Sequence, residues 1–170
     1  LAAILLLYLD DFTAFSCLAA LLNRNVHMSF YKMDVELQQY ASLFETLFKR
    51  ILPDLYGHFE QIGLSTEMYL LDWFLTIFSK SLPLDVATHL WDVYIFEGQC
   101  FLFRAALGIL RYLQPRILGQ DLDLVPCKQI LARMPEDHLD EELLMGAIAS
   151  INLREHESLL TQLSIPLFKL

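Results

Sequence analysis

Apolar residues recur at spacings of three and four along most of this chain, and no segment alternates strictly between apolar and polar, so the pattern calls for helices rather than sheets. From Asp34 to Leu52, the positions Leu37, Tyr40, Ala41, Phe44, Leu47, Phe48 and Ile51 fall on one stripe of a single helix. Pro53 then suits the first turn of the next. Asp10 or Asp11 caps a helix running to about Leu22, with Asn23, Arg24 and Asn25 as its polar exit. Further helices are expected from Thr66 to Ser81, Leu84 to Phe96, Gln99 to Leu113, Leu122 to Arg133, Asp140 to Ile151 and Arg154 to Leu163. Pro115, Pro126, Pro135 and Pro166 punctuate the second half, and Gly57, Gly63, Gly98 and Gly119 mark turns or helix ends. The expectation is an all-α fold of about nine helices, with residues 1–170 forming one compact unit.

Charge and composition narrow the partners. A formal net charge of −9 with no basic cluster removes the phosphate attraction on which nucleic-acid binding rests, and it disfavours anionic membrane surfaces. The opening LAAILLLYL reaches only about 14 Å as a helix, too short to cross a bilayer, and it lacks the basic start of a signal peptide. That start, inside an apolar helix and without an initiator Met, suggests a piece cut from a longer protein. An apolar share of 55% exceeds the roughly 45–50% of ordinary soluble domains, which implies helices buried nearly all round or a face awaiting a partner. Cys17, Cys100 and Cys127 form no CxxC pair and read as buried free thiols of a reducing compartment.

The densest signal is WFLTIFSKSLPLDVATHLWDVYIFEG, residues 73–98. In its first helix Met68, Leu70, Leu71, Trp73, Phe74, Leu75, Ile77 and Phe78 cover most of the circumference, which marks a central helix. Ser65, Tyr69, Asp72, Thr76, Ser79 and Lys80 share the remaining narrow stripe, and Tyr69, Asp72, Thr76 and Lys80 are the candidate partner contacts. Pro83 suits the first turn of the second helix, whose polar side carries Asp85, Thr88, His89 and Asp92, and Gly98 stands where a left-handed cap ends it. Trp73 and Trp91 are expected in the core between the two helices.

The order Trp73, Thr76, Phe78, Leu82–Pro83, Trp91–Asp92, Glu97–Gly98, Leu102–Phe103–Arg104 and Ala106–Leu107 resembles the TBC domain of Rab GTPase-activating proteins. The opening LAAILLLYLDDFTAFSCLAALL is similar to the family segment that follows its YxQG motif, so the resemblance covers nearly the whole chain. It implies a compact orthogonal multi-helix bundle, the C-terminal half of such a domain, with Trp73, Pro83, Trp91, Asp92, Gly98, Phe103 and Arg104 as structural motif residues. One departure is His89, where many members carry Arg.

Members of the family stimulate GTP hydrolysis by Rab proteins with an Arg from an IxxDxxR motif and a Gln from YxQG, which stabilise transferred charge and orient water. Neither motif occurs here; the nearest approach, Ile51 to Gly57, ends in Gly where the Arg would stand. The resemblance therefore implies a piece without fingers that completes the core and shapes part of a Rab-binding groove, in contact with the upstream half of its own domain. GTP and Mg²⁺ would belong to the Rab partner, and no cofactor is expected of this chain. The wording SKSLPLD is similar to the branch linked with recycling endosomes and autophagosomes, which implies a cytoplasmic protein peripheral to endomembranes, the Golgi included.

Other chemistry has weak support. His89 lies one turn from Asp85 and Asp92, and a surface pairing on that helix is expected over a metal site. REHE at 154–157 and EDHLDEE at 136–142 lack zincin spacing, and Asp140, Glu141 and Glu142 suit a helix N-cap and first turn instead. No GxSxG elbow and no GxxxxGK[ST] loop is present. Two classes remain: a subdomain of a GTPase activator, or a helical adaptor that binds a Rab or other trafficking protein without stimulating hydrolysis.

Overall fold

The computed structural model describes residues 1–23, 28, 32, 35–134 and 139–161. The expectations for Arg24, Asn25, Asp34, Pro135, His138, Leu163 and Pro166 lie outside the described residues. Among the described residues there are ten α-helices and no strand. In chain order they are α1 (Ala2–Tyr8), α2 (Asp11–Leu22), α3 (Val35–Ile51), α4 (Pro53–Gln61), α5 (Glu67–Thr76), α6 (Leu84–Glu97), α7 (Gln99–Gly119), α8 (Leu124–Ala132), α9 (Glu141–Ala149) and α10 (Glu157–Thr161), with a 3₁₀ turn at Arg154–His156 before the last.

Local chemistry explains several boundaries. Asp10 caps α2, its carboxylate accepting from the backbone N–H of Phe12 and of Thr13, each at 3.1 Å. Asp140 does the same for α9 through Leu143 at 3.0 Å. Pro53 opens α4. Gly98 separates α6 from α7 at φ 78°, a backbone region that costs glycine nothing.

Helix α7 is the centre of the fold, with Phe101, Leu102, Phe103, Leu107, Ile109 and Leu110 all essentially inaccessible. The stretch 66–81 also lies in the core, as expected, with Leu70, Trp73, Phe74, Ile77 and Phe78 buried, although Met68 is exposed. Phe103 faces Phe74 at 5.2 Å and Tyr40 and Phe44 at 6.4 Å between centroids, so one ring of α7 joins α3 and α5. Against expectation α7 also runs through Pro115 to Gly119. An interior proline costs about 3 kcal/mol in an isolated helix, and burial of Leu113 and Ile117 on either side offsets that cost.

Helix α9 lies across α7. Arg111 and Tyr112 are adjacent in α7, yet Tyr112 accepts the N–H of Asp140 at 2.9 Å while Arg111 donates to Oγ of Ser150 at 2.8 Å, at opposite ends of α9. The close approach falls at Gly108, where a Cβ would stand 2.9 Å from the backbone N of Ile148 and nearer still to its Cα.

Candidate functional site

Helix α5 ends in an unusual way. Ile77 and Phe78 both take left-handed backbone, φ 47° and 62°, although neither is glycine. The N–H of Phe78 bonds the carbonyl of Trp73 at 2.9 Å and that of Ile77 bonds Phe74 at 3.4 Å, the paired bonds of a Schellman cap. The accompanying hydrophobic contact is Phe78 on Trp73, 5.7 Å between ring centroids. The expected helix from Thr66 to Ser81 is thus cut at Thr76, and the chain folds back.

That reversal builds the site. On a continuous helix Lys80 would sit about 12 Å along the axis from Asp72. Here its Nζ lies 2.6 Å from Asp72 Oδ2. Thr76 Oγ1 donates to the carbonyl of Asp72 at 2.7 Å, and Ser79 Oγ to that of Thr76 at 2.7 Å. Three of the four candidate contacts, Asp72, Thr76 and Lys80, therefore share one accessible polar knuckle, with the two charged side chains about half exposed.

Tyr69 does not belong to it. The residue is 4% exposed and packs edge-on between Phe59 at 6.2 Å and Trp73 at 4.9 Å. The reason is angular: Tyr69 precedes Trp73 by four positions and so shares its buried face, whereas Asp72 is about 100° away. Burial pushes the Tyr69 phenol well above its usual range.

The motif residues are mostly scaffold. Trp73 is fully buried and donates to the carbonyl of Leu131 at 2.9 Å; Trp91 donates to that of Ile77 at 2.9 Å. Arg104 pairs with Glu97 at 2.6 Å and covers the Phe101 ring at 5.2 Å. Pro83 directly precedes α6, as its N-cap rather than inside its first turn. Asp92 stands exposed on α6 beside His89. His89 pairs with Glu141 of α9 rather than with Asp85 or Asp92 of its own helix, which corrects the expected pairing. The Glu141 carboxylate, with smaller contributions from Asp92 and Asp85, raises the His89 pKa.

A feature that sequence reasoning missed is a cleft of about 600 Å³ between α3, α4 and the start of α5, bordered by Glu45, Glu60 and Glu67. Tyr56 Oη donates to Glu45 at 2.9 Å there, and that carboxylate pushes the phenol up to about 12. Its residues come from three helices and the Gly63–Thr66 connection, so no local spacing announces it. Among the described residues, no three His, Cys, Asp or Glu side chains converge as a metal site. Cys100 and Cys127 are buried and Cys17 half-buried, all as free thiols, and burial pushes Cys100 up to about 11.

The scaffold of two tryptophans, the Gly98 break and the Glu97–Arg104 pair can now be set against known proteins. The model of the Rab-GTPase-TBC domain family matches residues 1–118. The chain belongs to that family. TBC1 domain family member 12 of Xenopus tropicalis is 39% identical over 170 residues, which is 99% of this chain and 24% of that protein. TBC1 domain family member 14 of Homo sapiens is 43% identical over 155 residues, 91% of this chain and 22% of that protein. Drainin of Dictyostelium discoideum is 36% identical over 158 residues, 92% of this chain and 36% of that protein. The chain thus spans well under half the length of each of these relatives. The TBC family match stops within the last turn of α7, whereas similarity to the first relative continues over α8, α9 and α10. No described helix is long and apolar enough to cross a membrane.

Proposed function

We propose that this chain is the part of a Rab GTPase-activating domain that completes its core and presents one portion of the Rab-binding surface, in a protein of vesicle trafficking that acts at cytoplasmic faces of endomembranes. The observation that carries the reading is the family match over residues 1–118 together with the buried motif set Trp73, Trp91 and Phe103, which makes the motif a fold signature rather than a catalytic one. Chemistry on the γ-phosphate needs an arginine and a water-orienting group, and neither family finger motif occurs in these residues. In this proposal both come from the upstream half of the domain, and GTP and Mg²⁺ are held by the Rab. The same upstream half covers α1 and α2, whose Leu7, Phe12 and Phe15 are 67%, 79% and 69% exposed.

The partner-facing site within this chain is the Asp72–Thr76–Lys80 knuckle. It is a paired charge held by a rigid turn, and it stays accessible while α5 is fixed to the core through Trp73. Binding of a Rab in its GTP form to the complete domain should weaken when Asp72→Ala and Lys80→Ala are combined, with the melting temperature nearly unchanged, because an exposed ion pair contributes only about 0–1 kcal/mol to folding. Unchanged affinity would remove the knuckle from the interface.

A further inference from the structure

Among the described residues, three buried side-chain atoms lack a close hydrogen bond to a protein atom, and two of them, Tyr69 Oη and Ser81 Oγ, belong to residues that line the same cavity; the Thr66 hydroxyl approaches Tyr69 Oη as a donor only, which leaves the phenol's own proton without an acceptor. Tyr69 is 4% and Ser81 1% exposed, so neither hydroxyl can turn outward to bulk solvent. The cavity measures about 60 Å³, well above the roughly 10–15 Å³ that one water needs. Trp73 and Leu131 also line it, and both are committed to each other through the indole N–H and the Leu131 carbonyl. Ser81 is likewise held in place, since its carbonyl accepts from Met134 at 2.8 Å and its N–H bonds Phe78 at 2.9 Å. Asp72 and Lys128 complete the polar lining, so the space is not an apolar void that would stay dry.

We infer that this cavity is a binding site for ordered water, about one or two molecules, that links Tyr69 Oη of α5 to Ser81 Oγ of the segment after the left-handed turn. The chemistry asks for a small group that both donates and accepts. A phenol and an alcohol each offer one proton and lone pairs, and water meets both within the available volume. The link ties the two arms that carry Asp72 and Lys80, so it holds the knuckle's geometry from beneath. It gives Tyr69 a structural task in place of a surface one.

A crystal structure of the complete domain, at a resolution that shows ordered water, is the test. The expected result is density in the cavity within about 2.7–3.2 Å of each hydroxyl, directly or through a second water. A dry cavity, or hydroxyls bonded to protein atoms alone, would overturn the inference, as would water bound to only one of them. In solution, Tyr69→Phe and Ser81→Ala each remove one anchor of the same bridge. The double variant should then shift the unfolding equilibrium several-fold less than the product of the two single shifts. A purely multiplicative result would show that the hydroxyls are not linked.

Discussion

The indole N–H of Trp91 donates to the carbonyl of Ile77 at 2.9 Å and joins α6 to the left-handed turn that ends α5. A β-branched residue in this backbone region is strained by about 1–3 kcal/mol, so the surroundings must over-determine it. Trp91 and the Phe78–Trp73 contact do so. Trp91→Phe keeps a ring and leaves the Ile77 carbonyl unpaired, and should cost about 1–3 kcal/mol in urea unfolding. Trp91→Ala should cost about 3–5 kcal/mol. A Phe variant as stable as the parent would mean that the turn does not depend on this bond.

Gly108 permits the contact between α7 and α9. Gly108→Ala would normally favour a helix by about 1 kcal/mol. Here the added methyl meets backbone atoms of Ile148 that cannot rotate away. A net loss of about 1–3 kcal/mol is expected, with a lower denaturation midpoint. A gain in stability would show that α9 can shift freely.

The His89–Glu141 pair makes stability depend on pH. Its folded-state pKa is raised by Glu141, so its contribution is complete below the unfolded value of about 6.5 and fades as pH rises through the folded value. His89→Gln should therefore melt below the parent near pH 6 and converge with it on the alkaline side. The gap will be small because His89 is mostly exposed. A gap that widened with rising pH would contradict the pairing.

Leu6, Leu7, Tyr8, Phe12 and Phe15 form an exposed apolar face on α1 and α2. Residues 1–170 alone should self-associate in a concentration-dependent way, and Phe12→Ser with Phe15→Ser should reduce it. Sedimentation across a concentration series checks this, and a monomer at all concentrations would mean that the face needs no cover.

Helical periodicity made the all-α fold, the Asp10 and Asp140 caps, the Pro53 start and the buried tryptophans readable from the sequence. The break at Thr76 was not readable, because the usual stop signal is glycine and this cap relies on the Trp91 indole of the next helix as well as on the local Phe78–Trp73 contact. Pro115 misled for the same reason, since packing around Leu113 and Ile117 keeps the helix whole. The hydroxyl of Tyr69 suits a polar stripe, while its relation to Trp73 four residues on decides its burial. His89 found Glu141, 52 residues away, a pairing no local spacing encodes.

Single-turnover GTP hydrolysis across a panel of Rab proteins, comparing residues 1–170 with a longer chain that includes the upstream sequence, tests the proposed division of labour most directly. Acceleration by the longer chain and none by residues 1–170 is the expected result. Acceleration by residues 1–170 alone would contradict it, and so would Rab binding by both with acceleration by neither, which would make the domain an adaptor.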